Sequence, residues 1–314
     1  MRVRRGGGPV GVVAAAMTVF LLAGCDGTPS EGQRTADGVP IVREAKDLPE
    51  LPLHHYELTA DDDDAYRTLH RAQMLLAQRC MRDFGFADFP RDPKGPGTGA
   101  VALVAVAQDS AGQFDLEKAR RWGYGWDPKR AVPVEPAGRV MTAEESYVYR
   151  GHRVGGPSTI RGRRVPEQGC LGRAEKRLYR GVRDLRRTWA YVPQRSAVLH
   201  QAAMKDKRVR RVLKAWSQCV VDKGFKRYGT PDDAFRDKAW QRENGGNTSR
   251  SRRERGTAVA DIECKREHNT AGVWWSVLSE VQRADIARHR SAYESARRSQ
   301  ETVRDNVREV LAAM

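Results

Sequence analysis

Apolar residues recur at helical spacing in four stretches of the chain. Ala65, Leu69, Ala72, Leu76 and Cys80 fall three or four positions apart, and so do Val209, Val212, Leu213, Trp216 and Val220. That period gives a helix one greasy face for a core and leaves the rest to solvent. Asp61 to Asp64 precede the first stretch and Asp206 the second, where carboxylates satisfy free N–H groups and suit the helix dipole. Ala174, Leu178, Val182, Leu185 and Trp189 mark a third stripe. Trp274, Val277, Leu278 and Val281 begin a fourth, which the pattern carries on as one long helix to Val310 and Leu311. Asp115 suits the N-cap of a short helix closed by Gly123. The expected fold is mainly α-helical, with irregular spacer loops.

Two of these helices end alike. Cys80, Gly85, Phe86 and Phe89 are matched by Cys219, Gly224, Phe225 and Tyr228 at a constant offset of 139 positions. Gly85 and Gly224 fit the position just past a helix, where a left-handed residue costs glycine least. Each copy is followed by a second cysteine, in Glu167-Gln-Gly-Cys170 and in Asp261-Ile-Glu-Cys264. Each of these is expected to lead into a helix that Glu167 or Asp261 would cap. Two related helical halves result, residues 60–195 with a long spacer and residues 196–314 with a shorter one.

Before the first half, Arg2, Arg4 and Arg5 precede an uncharged apolar run over residues 10–24. About 15 residues are fewer than the roughly 20 that span a bilayer, so the run reads as a signal peptide, residues 1–24. It ends in Leu21-Leu22-Ala23-Gly24-Cys25, which resembles the lipobox of bacterial lipoproteins. The resemblance implies cleavage after Gly24 and a diacylglyceryl thioether on Cys25, with the body held to membrane lipid on the outer face of the cytoplasmic membrane. Residues 25–59, with Pro29, Pro40, Pro49 and Pro52, read as a flexible tether. The four cysteines that remain are an even number in an oxidising compartment. Three pairings are open, and the duplication favours Cys80–Cys170 and Cys219–Cys264. A four-cysteine zinc site lacks any C-x₂-C pair, so no metal and no cofactor is expected.

Charge sharpens the division. The chain carries 56 bases against 40 acids, a net +16. Residues 25–65 hold 11 acids and 3 bases, whereas residues 66–314 hold 50 bases and 29 acids, +21. The 23 aromatic residues are too many for a disordered chain, and 31% charged residues are too many for a polytopic membrane protein. A basic body outside the membrane meets phospholipid headgroups and anionic wall polymers, although surface arginines also serve solubility alone. The densest run, residues 249–256, reads as a mobile loop, and the export signal argues against nucleic acid as its partner.

The layout resembles a family of uncharacterised lipoproteins and secreted proteins from high-GC Gram-positive (actinobacterial) cells. They share a lipobox, a W-x-x-C-x₄-G-[FY] helix end, an [AD]-x-x-C segment and an intervening Trp/Tyr-Gly-Tyr stretch. In this chain those are Trp216 to Phe225, Asp261 to Cys264 and Trp122 to Tyr124. The likeness covers most of residues 60–290. It departs in the first copy, where Ala77 stands for the tryptophan and Glu167 for the aspartate. The resemblance implies no activity.

Candidate chemistry is sparse. Motifs for serine hydrolases, zinc proteases, dinucleotide binding and calcium loops are missing, and the glycines at 95, 97 and 99 lack phosphate-loop spacing. Residues 101–107 add a small apolar run. Asp61 to Asp64 beside His54 and His55 read as a helix cap and solvated acidic patch rather than a metal site. Trp122, Tyr124 and Trp126 are the candidate contact surface, since flat rings stack at low entropy cost. The leading expectation is a non-catalytic envelope lipoprotein that binds an anionic wall polymer, a membrane component or another envelope protein. The alternative is a wall-modifying hydrolase with its site in the spacer between residues 80 and 170, drawing on Glu144, Glu145, His152, Glu167 and Asp261. His268 would then be a second base, though lone histidines among arginines are mostly bystanders.

Overall fold

A computed structural model describes residues 34–60, 64–90, 114–127, 140–151, 157–242 and 247–313. The glycine run, residues 101–107, Cys25, Asp61 to Asp63 and His152 lie outside these. Ten α-helices carry the described residues: α1 (Ala65–Asp83), α2 (Leu116–Trp122), α3 (Ala143–Arg150), α4 (Gly169–Leu178), α5 (Leu185–Met204), α6 (Lys207–Asp222), α7 (Pro231–Phe235), α8 (Arg252–Glu267), α9 (Thr270–Arg288) and α10 (Arg290–Ala312). The strands described, Thr159–Ile160 and Arg163–Arg164, form one two-residue hairpin. No helix among the described residues is long and apolar enough to cross a membrane.

The duplicated helix ends are the same structure twice. Gly85 and Gly224 adopt φ +82° and +86°. Phe86 N–H donates to Met81 O at 3.1 Å and Gly85 N–H to Arg82 O at 2.8 Å; Phe225 and Gly224 repeat these bonds to Val220 and Val221. These paired bonds close the last turn over otherwise orphaned carbonyls. Phe86 is buried behind its turn, under the Arg161 guanidinium, and Phe225 is half-buried at the second core.

Both disulfides favoured by the duplication are formed. Cys80–Cys170 joins α1 to the start of α4 with Cα atoms 5.5 Å apart, and Cys219–Cys264 joins α6 to α8 at 5.8 Å, separations ordinary for the bond. Around the first, Met74, Met81, Phe84, Phe89, Val148 and Tyr149 pack where α1 and α3 meet α4. Around the second, Trp216, Val220, Tyr228, Phe235, Trp240 and Ile262 pack where α6, α7 and α8 converge.

Three expectations change. The stripe from Ala174 to Trp189 spans two helices, α4 and α5, separated by a turn at Gly181 (φ +84°). The long C-terminal helix breaks at His289 into α9 and α10. The boundary expected at 195/196 falls inside α5, and α10 turns back to pack Val303, Val307 and Val310 against Ala72 of α1 and Leu178 of α4. Periodicity reports which face of a helix is buried, not against which partner.

The flexible tether also gives way. From residue 34 the chain lies on the helical body, with Val42, Leu53, Tyr56 and Leu58 buried. Val42 N–H donates to Asn269 Oδ1 (3.0 Å), Leu53 N–H to Gln282 Oε1 (3.1 Å), and Trp275 Nε1–H to Pro49 O. Four apolar side chains among prolines show no helical period, and their partners are more than 200 residues away. The strap is therefore invisible to local pattern. Gln282 is itself fully buried. Gln282→Leu is expected to strand the Leu53 N–H at a cost of about 1–3 kcal/mol and to speed proteolysis within residues 34–60. An unchanged cleavage rate would contradict the strap.

Candidate functional site

The buried chemistry centres on the second disulfide. Asp261 was expected to cap a helix, but α8 begins nine residues earlier at Arg252, with Ser251 as its cap. The run over residues 249–256 is thus largely the first turn of a helix rather than a mobile loop. Its Glu254 is buried and accepts from the N–H groups of Tyr124 and Arg250 and from the Thr248 hydroxyl. Mid-helix, Asp261 is buried, and its Oδ1 accepts from Trp216 Nε1–H at 3.1 Å. Oδ2 lies 3.2 Å from the equally buried Lys265 Nζ, which also stands over the Phe114 ring. Burial pushes the Asp261 carboxyl above its ordinary range, opposed by Lys265 and the Trp216 hydrogen bond.

The departure of the first copy from the family pattern now has a cause. Trp216 and Asp261 sit three residues before Cys219 and Cys264, so one hydrogen bond braces the bridge a turn away. In the first half the helix starts only at Gly169, its end residue Gln168 makes no side-chain cap, and Glu167 is exposed. Ala77 fills the tryptophan's place, fully buried. Donor and acceptor are missing together.

Of the expected contact surface, Tyr124 is withdrawn. Its ring is buried against Phe235 and Trp240, with its hydroxyl toward Asp261, and burial first and that carboxylate second raise its pKa well above the usual value. Trp122 and Trp126 are half-buried: Arg250 lies over the Trp122 ring, and Trp126 N–H donates to Asn247 Oδ1. Asp115 caps α2 as expected, accepting from Lys118 N–H at 3.0 Å. Gly123 (φ +59°) must be glycine, since a Cβ there would come within 2.7 Å of Glu254 Oε1. The Trp-Gly-Tyr stretch clasps the start of α8 and tucks one ring into the core.

The residues of the hydrolase alternative are dispersed. Glu145 is buried in a reciprocal cap with Thr142, Glu144 pairs with Arg161 on the surface, and Asp261 is committed to Lys265 in the other core. His268 is half-buried beside Glu267. His54 bonds Glu57, and Asp64 pairs with Arg67. Among the described residues, one group places ligand-type atoms within 4.8 Å of one another: Cys219, Glu267 and His268. The Cys219 sulfur is bonded to Cys264, which leaves two donors and no site while the bridge stands.

A polar cleft of about 430 Å³ lies between the start of α5 and the face of α10 that carries Ser295, Ser299 and Thr302. Arg183, Arg187 and Arg298 line it, and among the described residues none of the three forms an ion pair. Asp184, the acid in its lining, is occupied: it caps α5 by accepting from Arg187 N–H at 2.8 Å. Three guanidinium groups beside a helix N-terminus make a field suited to a phosphate or carboxylate, which guanidinium binds with two parallel N–H donors.

No family model, curated protein or solved structure matches the chain. Its reading therefore rests on its own residues. Sequence reasoning missed this cleft because a net charge has a sign but no address. Arg298 lies more than a hundred residues from Arg187, and only the fold of α10 over α5 brings them to one opening.

Proposed function

We propose that the protein is a lipid-anchored envelope lipoprotein, tethered through Cys25 at the outer face of the cytoplasmic membrane, whose body binds anionic polymers or headgroups without catalysing a reaction. The observation that carries the binding half is the convergence of Arg183, Arg187 and Arg298, free of ion pairs among the described residues, on one polar cleft. The anchor half rests on the lipobox-like run before Cys25. In this reading the chain from residue 34 onward is part of the body, so the linker proper is short. The basic surface is held near the headgroups, in reach of both lipid phosphate and wall polymer.

Retention on purified cell wall, and on vesicles containing anionic phospholipid, is expected to fall steeply as salt rises from about 50 to about 500 mM, where screening shortens the reach of charge. Replacing all three arginines by alanine is expected to weaken low-salt retention about tenfold or more, because each lost guanidinium removes a phosphate contact. Retention insensitive to salt, or unchanged in the triple variant, would contradict the proposal.

A further inference from the structure

A second cleft, of about 340 Å³, opens where α5, α6, α7 and α9 meet. Its character is opposite to that of the arginine cleft. Met204, Leu213 and Trp274 give it apolar walls, and the His200 ring stands edge-on to Trp274 with centroids 4.8 Å apart. Burial holds the His200 pKa below its ordinary value, so the ring is neutral near pH 7. The charges at its rim are matched, Arg236 by Asp232 at 2.8 Å and Lys265 by Asp261.

Two polar atoms in its lining are unmatched. The Thr270 hydroxyl and the Trp274 indole N–H are both buried with no hydrogen-bond partner, and Thr270 is 2% exposed. They stand four residues apart on α9, so they share one face of the helix. Buried polar atoms are nearly always paired in folded proteins, and an orphan needs a reason. An indole nitrogen can only donate, and a hydroxyl can donate as well. The pair therefore asks for an acceptor oxygen, set in an apolar, aromatic-walled space of small-ligand size.

We infer that this cleft binds an uncharged small molecule with a flat apolar body and a carbonyl oxygen, the oxygen accepting from Thr270 and Trp274 while the body lies against Met204, Leu213 and the His200–Trp274 corner. No net charge at the rim recruits an ion, which separates this site from the arginine cleft and makes it independent of the envelope-binding proposal. The carbonyl relieves both orphaned donors at once, and the apolar walls supply the affinity.

The test titrates the full chain carrying Cys25→Ser, disulfides intact, with the neutral fluorescent naphthyl ketone prodan, followed by competition with acetylnaphthalene and with ethylnaphthalene. Saturable one-site binding is expected, with acetylnaphthalene competing about tenfold better than ethylnaphthalene, which lacks the acceptor. Leu213→Trp, which fills the cleft, is expected to abolish binding. Thr270→Val keeps the size and removes the hydroxyl; it is expected to weaken prodan several-fold without lowering Tm. Absence of saturable binding would overturn the inference, as would equal competition by the two naphthalenes. A Thr270→Val variant that loses Tm and keeps its affinity would show a trapped water satisfying the hydroxyl, and would overturn it equally.

Discussion

Asp261→Asn is expected to lower Tm by on the order of 10 °C, the largest loss from any single polar substitution in this protein. The change keeps the size of the side chain and an acceptor for the Trp216 indole, whose bond to Asp261 is 3.1 Å. It removes the negative charge 3.2 Å from the buried Lys265 ammonium. Breaking one side of a buried pair typically costs about 3–5 kcal/mol, because the other charge stays out of water uncompensated. In a chain of this size each kcal/mol moves Tm by roughly 2–4 °C. Removing both charges should behave differently. Asp261→Asn with Lys265→Met is expected to recover most of the loss, since a buried ion pair and its apolar replacement are often close in energy. Calorimetric melts of the single and double variants decide it. A single variant that melts with the wild type would mean that water, not Asp261, balances Lys265.

Loss of the two disulfides is expected to be larger still. The bridges close loops of 90 and 45 positions, and in the chain-entropy account each restricts the unfolded chain by about 4 kcal/mol. Together that approaches the whole stability of an ordinary domain, about 5–15 kcal/mol. The variant with all four cysteines changed to alanine is expected to be largely unfolded at 37 °C, while each single-bridge variant folds with a depressed Tm. The two halves should respond unequally. The Cys219–Cys264 pair is braced one turn away by the Trp216–Asp261 bond, whereas Ala77 and the exposed Glu167 give Cys80–Cys170 no such brace. Losing the first bridge should therefore loosen α4 from α1 more than losing the second loosens α8 from α6, visible as faster amide exchange in residues 169–178 than in 252–267. Equal exchange in both variants would remove the asymmetry.

Much of this architecture is legible in the residue order, because its strongest signals are local. A stripe of apolar residues, an acid before it and a glycine after it define a helix wherever it lies. The duplication then favours a disulfide pairing without any knowledge of space. What escapes is non-local. The strap from Val42 to Leu58 is written in four apolar residues among prolines, and only Asn269 and Gln282, two hundred residues on, make it part of the body. Asp261 looks like a cap because aspartate beside a helical stripe usually is one; its place in mid-helix depends on Lys265 and Trp216 closing around it. The run of arginines at 250–255 looks like a loop on composition, and becomes a helix because Ser251 and Glu254 cap and anchor its first turn. Neither cleft has a signature in sequence, since each is assembled from side chains of separate helices.

The central claim, an exported chain acylated on one cysteine and oxidised at the other four, is tested most directly by intact mass spectrometry of the protein recovered from its own cells and alkylated without reduction. The account predicts a chain beginning at a Cys25 that carries diacylglyceryl, with no alkylated sulfur elsewhere. A chain that retains Met1, bears no lipid and takes up alkylating reagent on Cys80, Cys170, Cys219 and Cys264 would contradict it.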